Sequence, residues 1–351
     1  MNLVVRINGR AIGQHHPCFV VAEAGVNHNG DLRLAKQLVA AAAATGADAV
    51  KFQTFKAENV VSAGAPKAAY QLDTTDRSES QIEMLRGLEL GAGDFAELMA
   101  DCEAHGIVFL STPHDAQSIE VLEDLGVPAY KVGSGDVTNL PLLRKIASKG
   151  KPVLLSTGMC TLGDVEAALA AIREQGNESV VLLHCVSNYP AAIEDSNLRV
   201  LRTLRTAFQV PTGYSDHTAG DEAALAAVAL GACAIEKHFT LDRTMPGPDH
   251  LASAEPAELE RLVARIRAVE SALGDGIKRP TADEMRNRSA VRKSVVANEA
   301  IRAGTAIRPT MLAIKRPGTG LPPDTIDRIV GKTARVDIER DAQIEWRMLD
   351  G

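Results

Sequence analysis

The sequence predicts a (β/α)8 barrel followed by a small, mostly β module. Apolar, β-branched segments of four to seven residues recur eight times, and amphipathic helix patterns lie between most of them. That alternation stops near Gly274, after which short strand-like pieces are separated by Gly and Pro turns. Eight strand-helix units over about 255 residues match a closed barrel in count and length. The alternative is an open doubly wound sheet, but no Gly-x-Gly-x-x-Gly turn follows the first strand.

The first strand is Phe19–Glu23, followed by a polar turn, Asn27-His28-Asn29-Gly30-Asp31. A helix over Leu32–Thr45 comes next, its apolar stripe carried by Leu34, Ala35, Leu38, Val39 and Ala42. A carboxylate closing an apolar strand costs free energy unless it has a partner or a task. Glu23 is therefore the first candidate functional group. Further strands are predicted at Ala49–Gln53, Val108–Ser111, Ala129–Val132, Val153–Ser156, Val180–His184, Thr212–Ser215 and Ala232–His238. Helices are predicted at Gly93–His105, Ala116–Leu125, Leu140–Ser148, Leu162–Glu174, Leu198–Phe208 and Thr218–Leu230, with a last one at Glu258–Leu273. The barrel is placed at 1–274, a polar linker at 275–288 and the β module at 289–351. Strand-like pieces in that module are Lys293–Ala297, Leu312–Lys315 and Thr333–Val336, with an obvious loop at Pro317–Pro323.

Bulk properties narrow the function. Of 351 residues 45% are apolar and 24% charged, enough for a large core, and the net charge of -7 gives no general support for nucleic-acid binding. No apolar run reaches membrane-span length, and the N-terminus lacks the apolar block of a signal peptide. Five dispersed cysteines without a Cys-x-x-Cys read as reduced thiols of a cytoplasmic protein. Residues 285–351 hold 13 Lys and Arg against 8 Asp and Glu. A basic module thus follows an acidic barrel, which suits either two independently solvated surfaces or docking of the module on the barrel or over an anionic substrate.

Polar residues gather at the C-terminal ends of the predicted strands, the face where barrel enzymes build their sites. His217 and His238 end neighbouring strands, and two imidazoles with open positions beside them suit a divalent transition metal. Two hydrogen-bonding histidines without a metal are the bland alternative. Lys51 and Lys131, amid Ser, Thr and Gln, suit a phosphate or carboxylate; a buried pair of Lys51 with Glu23 is compatible with that. Glu23 is a candidate general acid or base, with burial and the lysines competing over its proton. Cys185 follows His184 on one strand, so their side chains face opposite ways and cysteine catalysis is rejected. His114 reads as a solvated loop residue.

These residues lie within longer runs: AEAGVNHNGD (22–31), GADAVKFQTFKAE (46–58), STPHD (111–115), KVGSGD (131–136), LLHCVSNYP (182–190), GYSDHT (213–218) and EKHFTLDRTMPGPDH (236–250). Together they closely resemble the sialic acid synthase family. RKSVVANEAIRAG (292–304) and KRPGTGL (315–321) resemble its C-terminal antifreeze-like (SAF) module. The resemblance implies condensation of phosphoenolpyruvate with an N-acetylated hexosamine. It implies that His217 and His238 bind Mn2+, or alternatively Mg2+ or Co2+. It implies that Lys51, Gln53, Thr112, Lys131, Ser134, Ser156 and Ser215 hold phosphoenolpyruvate, and that Tyr189 and Asp249 contact the sugar. Glu23 would act near water and metal. Arg316 would reach the N-acyl group of a sugar in the partner's barrel, since family members are domain-swapped homodimers. Two departures bear on the acceptor. Asp136 stands where many sialate synthases carry Glu, and Ser187 where sialate-forming bacterial enzymes carry Asn. With the Pro-Asp-His turn at 248–250, they look more like legionaminic acid synthases, which use 2,4-diacetamido-2,4,6-trideoxymannose rather than N-acetylmannosamine. The rival readings are a phosphoenolpyruvate-dependent barrel synthase making a 3-deoxy sugar acid, and a non-catalytic sugar-binding protein.

Overall fold

A computed structural model of the chain describes residues 4–350, without the side chains of 69, 70 and 73. The chain divides into two units, Met1–Gly274 and Asp275–Gly351.

The first unit is the barrel. Before it comes a hairpin, β1 (Val4–Ile7) and β2 (Arg10–Gly13), where the sequence pattern predicts no element. Its two-residue turn is Asn8-Gly9, and both residues have positive φ, as a turn matched to the strand twist requires. Eight parallel strands follow. They are β3 (Phe19–Gly25), β4 (Ala49–Thr54), β5 (Val108–Pro113) and β6 (Tyr130–Val132). The second four are β7 (Val153–Ser156), β8 (Val180–Cys185), β9 (Thr212–Asp216) and β10 (Ala234–His238). The ladder runs β5-β4-β3-β10-β9-β8-β7-β6. Its two end strands, β5 and β6, pack side by side and nearly close the ring. β6 is the shortest barrel strand, confined between Pro128 and Gly133.

Alternation along each strand separates two cores. Val20, Ala22, Val50, Phe109, Leu155, Leu182 and Ile235 face the surrounding helices. Val21, Ala49, Leu110, Leu154, Val181 and Leu183 fill the lower interior, joined by Val5, Ile7 and Ile12 of the hairpin. The hairpin therefore belongs to the barrel's own core. Inside the ring Gly213 is dictated by space: a Cβ there would lie 2.5 Å from the Ala234 carbonyl oxygen and 2.7 Å from Leu183 Cδ2. The helices expected between strands are present, among them Leu32–Ala44, capped by Asp31. Not expected are three short helices between β4 and Ala92, namely Ala57–Val60, Ala69–Thr74 and Gln81–Arg86.

In the second unit β11 (Ser294–Ala297) pairs antiparallel with β12 (Leu312–Lys315), and β13 (Thr333–Ala334) with β14 (Leu349–Asp350). Val295, Ile301, Ile307, Ile329, Ile338 and Ile344 form its core. A helix, Ala282–Val291, capped by Thr281, spans the expected linker and the start of the expected module. It has no buried residue, which is why its sequence carries no apolar stripe. Among the described residues no helix is long and apolar enough to cross a membrane.

Candidate active site

The C-terminal ends of the barrel strands open into a cavity of about 420 Å³. Glu23, Lys51, Gln53, Thr112, Lys131 and Ser134 line one part of it. Ser156, Ser187, Tyr189, Ser215 and Asp249 line the rest, with His217 and His238. Asp136 does not line it, and Arg316 lies in the second unit.

Period-2 alternation decides which charges enter. On β10, Glu236 and His238 point inward, whereas Lys237 points out and pairs with Asp216 at 2.8 Å. Inside, Lys51 Nζ lies 2.6 Å from Glu23 Oε2 and donates to Thr112 Oγ1 at 3.2 Å. Lys131 Nζ lies 3.3 Å from Glu236 Oε1, which also accepts from Ser215 Oγ at 2.8 Å. Gln53 Nε2 donates to the other Glu23 oxygen at 3.3 Å. All four charged groups are buried. Burial raises the Glu23 pKa, and the neighbouring Lys51 only partly offsets this. Burial acts on Glu236 as well, but Lys131 and Lys51 overcome it and bring its pKa down to about 2. Burial also opposes charge on Lys51, yet Glu23 and Glu236 more than compensate and raise its pKa. On Lys131 burial prevails and lowers the pKa. Two lysines and two carboxylates thus share one buried centre, in which Lys51 pairs with Glu23 and Lys131 with Glu236. Asp249 is pushed up to about 7 by burial and by Glu23, against the pull of Lys51.

The rings of His217 and His238 lie 5.3 Å apart, and the Tyr189 ring is 4.3 Å from His217. His217 Nδ1 donates to the Val186 carbonyl at 2.6 Å, which leaves Nε2, 3.4 Å from Ser215 Oγ, as the nitrogen that would ligate an ion. His238 Nδ1 is buried without a hydrogen-bond partner among the described residues. Burial lowers the pKa of both rings and keeps them neutral. Two neutral imidazoles, one with an orphaned nitrogen, fit a divalent ion whose remaining positions belong to substrate and water. Among the described residues no group of three or more His, Cys, Asp or Glu side chains could hold a metal, so the protein would supply two ligands.

Three features of the cavity were not assigned from sequence. Glu236, legible only as a polar residue ending the eighth strand beside His238, bridges toward both lysines. His114, expected to be solvated, instead lines the cavity, and its Nδ1 donates to Asp136 Oδ2 at 3.3 Å. Its ring also meets Phe55 edge-on, so the β5 loop folds inward. Finally, Met84, Leu85 and Leu88 from the unexpected helical segment form part of the wall. Cys185 does face the cavity, 3.1 Å from Ser134 Oγ, while His184 faces away and bonds the Ser196 carbonyl. The two are not a nucleophile-base pair.

The chain matches the NeuB family over residues 38–278 and the SAF domain over residues 292–350. It is 48% identical to the N,N'-diacetyllegionaminic acid synthase of Campylobacter jejuni, over 93% of this chain and 98% of that protein. The enzyme of the same name from Legionella pneumophila is 46% identical over 98% of each chain. The crystal structure of N-acetylneuraminic acid (sialic acid) synthetase from Leptospira borgpetersenii, in complex with citrate, is similar with a TM-score of 0.72 at 35% identity, covering 82% of this chain and 95% of that one. With a family match that spans most of the barrel and relatives aligned along almost the whole length, the chain belongs to the NeuB family.

Proposed function

We propose that this chain condenses phosphoenolpyruvate with an open-chain N-acetylated hexosamine and water, giving a nonulosonic acid and phosphate. The observation that carries the reading is the pairing, in one cavity, of two buried lysines, Lys51 and Lys131, with two neutral imidazoles at His217 and His238. The acceptor is 2,4-diacetamido-2,4,6-trideoxymannose in preference to N-acetylmannosamine. Support for that choice comes from the two legionaminic acid synthases and from Ser187, which lines the cavity.

Lys51 and Lys131 hold the phosphate and carboxylate of phosphoenolpyruvate, with hydroxyls from Thr112, Ser134, Ser156 and Ser215. Ser156 Oγ, buried without a hydrogen-bond partner among the described residues, is free to donate to the anion. His217 and His238 would hold a divalent ion, Mn2+ first and Mg2+ or Co2+ as alternatives, which would supply Lewis-acid polarisation of the sugar aldehyde. Carbon C3 of the enol forms a bond to the aldehyde carbon, and positive charge develops at C2. Water adds at C2. One of its protons passes through Glu23 to the new alkoxide, and the other leaves with phosphate as the C2–O bond breaks. The raised pKa of Glu23 suits it to that relay. Tyr189 and Asp249 orient the sugar, so positioning supplies much of the rate. In this reading the protein is a cytoplasmic, domain-swapped homodimer in which Arg316 serves the partner's site.

The test is inorganic phosphate release from phosphoenolpyruvate with Mn2+, run with each acceptor. Release with either establishes the synthase, and the faster one names the acceptor. Release with neither, from folded and metal-loaded protein, overturns the reading.

A further inference from the structure

Most of the cavity is polar, but one side is not. Val26, from the turn after β3, lines it together with Met84, Leu85 and Leu88 from the segment after β4. With Phe55 these residues form an apolar cluster of their own, separate from both barrel cores. Val26, Met84 and Leu88 are almost fully buried, and Leu85 partly so. The connection that carries this wall runs from Thr54 to Ala92. Strand-to-helix loops in such units usually need only about 2–6 residues, so the extra chain does something other than close the barrel.

The ring order connects the histidines to this wall on one side. Tyr189 packs against both histidines, so the loop after β8 belongs to the reacting end of the cavity. The ladder continues from β9 and β10 to β3 and β4, and the apolar wall rises from the latter two. An acceptor with its aldehyde at His217 and His238 and its chain running toward β3 and β4 would bring its far carbons to Val26 and Met84.

We propose that Val26, Met84, Leu85 and Leu88 seat the C6 methyl of a 6-deoxy acceptor and thereby select against a 6-hydroxyl; this rests on the synthase reading above. A hydroxymethyl group against that wall gives up hydrogen bonds to water and meets no hydroxyl, amide or charged side chain among those four residues. A methyl gives up none. Apolar pockets reject an added hydroxyl by up to about 100-fold.

The experiment compares kcat/KM for N-acetylmannosamine and 2-acetamido-2,6-dideoxymannose, which differ only at C6. The wild-type enzyme favours the 6-deoxy sugar by about 10- to 100-fold. Leu85→Asn, which keeps the branch at Cγ, and Met84→Gln, which keeps the chain length, each bring that ratio within about threefold of one, with the KM for phosphoenolpyruvate unchanged. Equal use of both sugars by the wild type, or a preference that survives both variants, overturns the inference. Phosphate release by the wild type with 2,4-diacetamido-2,4,6-trideoxymannose separates the two claims. Turnover without discrimination at C6 removes this inference alone, whereas no turnover with any acceptor removes the synthase reading first.

Discussion

Glu236 is the carboxylate that the two buried lysines share, Lys51 having Glu23 as its nearer partner. Oε1 of Glu236 lies 3.3 Å from Lys131 and its Oε2 3.8 Å from Lys51. Replacing it by Gln keeps the volume and the bond from Ser215 but removes the charge that favours protonated Lys131. Breaking one side of a buried pair costs roughly 3–5 kcal/mol, so Glu236→Gln should lower the denaturation midpoint by that measure and, through Lys131, also lower kcat/KM for phosphoenolpyruvate. Wild-type kcat/KM in that variant would remove Glu236 from the charge balance of the site. His28 supplies a prediction about acid stability. Burial lowers its pKa from 6.5 to about 4, and Nδ1 accepts from the Gly30 amide at 3.0 Å. Between those two values the unfolded chain binds the proton and the folded chain does not, so the stabilisation is complete above pH 6.5 and is lost as pH falls to about 4. The loss amounts to about 3 kcal/mol. His28→Asn keeps an acceptor for the Gly30 amide without the titration. Denaturant midpoints at pH 7 and pH 5 should therefore differ less in the variant than in the wild type, and an identical difference would exclude His28 as a source of acid sensitivity. At this scale the cavity positions of Glu23, Lys51, His217 and His238 were legible because each lies within or just after an apolar strand, from its middle onward, where a polar residue needs a reason. His114 was not, because nothing in a single sequence tells which way a loop histidine turns.

The β1–β2 hairpin is part of the barrel's lower core, since Ile7 and Ile12 are fully buried among inward residues of the strands. Truncating a buried Ile to Ala costs about 2–5 kcal/mol. Ile12→Ala should lower the denaturation midpoint by that measure. Phosphate release per folded molecule should remain near wild type, because the hairpin lies at the end of the barrel opposite the cavity. A loss of activity without loss of stability would contradict that separation. The hairpin was legible after the fact: Asn8-Gly9 between apolar pairs is a strong turn signal, though its strands are only four residues each. The barrel strands and long helices were legible because each buries a continuous face. The three short helices after β4 were not, since elements of four to six residues complete barely a turn or two, too little for a helical period to emerge. The part of the cavity wall that escaped the sequence is therefore the part built on those elements.

At the scale of the whole molecule, the basic second unit and the acidic first one set up the proposal that Arg316 completes the site of a partner subunit. Arg316→Ala alone should raise the KM for the sugar while leaving that for phosphoenolpyruvate in place. That result would fit a tail acting in its own barrel or in another's, so a mixing experiment has to decide. Lys131→Ala disables the barrel but leaves Arg316 intact. In a swapped dimer of one Arg316→Ala chain and one Lys131→Ala chain, the first chain contributes a sound barrel and the second a sound tail. One complete site results. Random 1:1 reassociation makes about half of all dimers mixed, each with one good site of two, so activity at low sugar should recover to about a quarter of wild type. Without a swap every barrel meets a defect of its own chain, and mixing restores nothing. Recovery must also depend on subunit exchange. It should appear after the two variants are dissociated and refolded together, and it should be absent when they are combined only at assay. If refolding together gives no more than the sum of the separate activities, the tail serves its own chain or none, and the domain-swapped part of the proposal falls while the chemistry of the cavity stands.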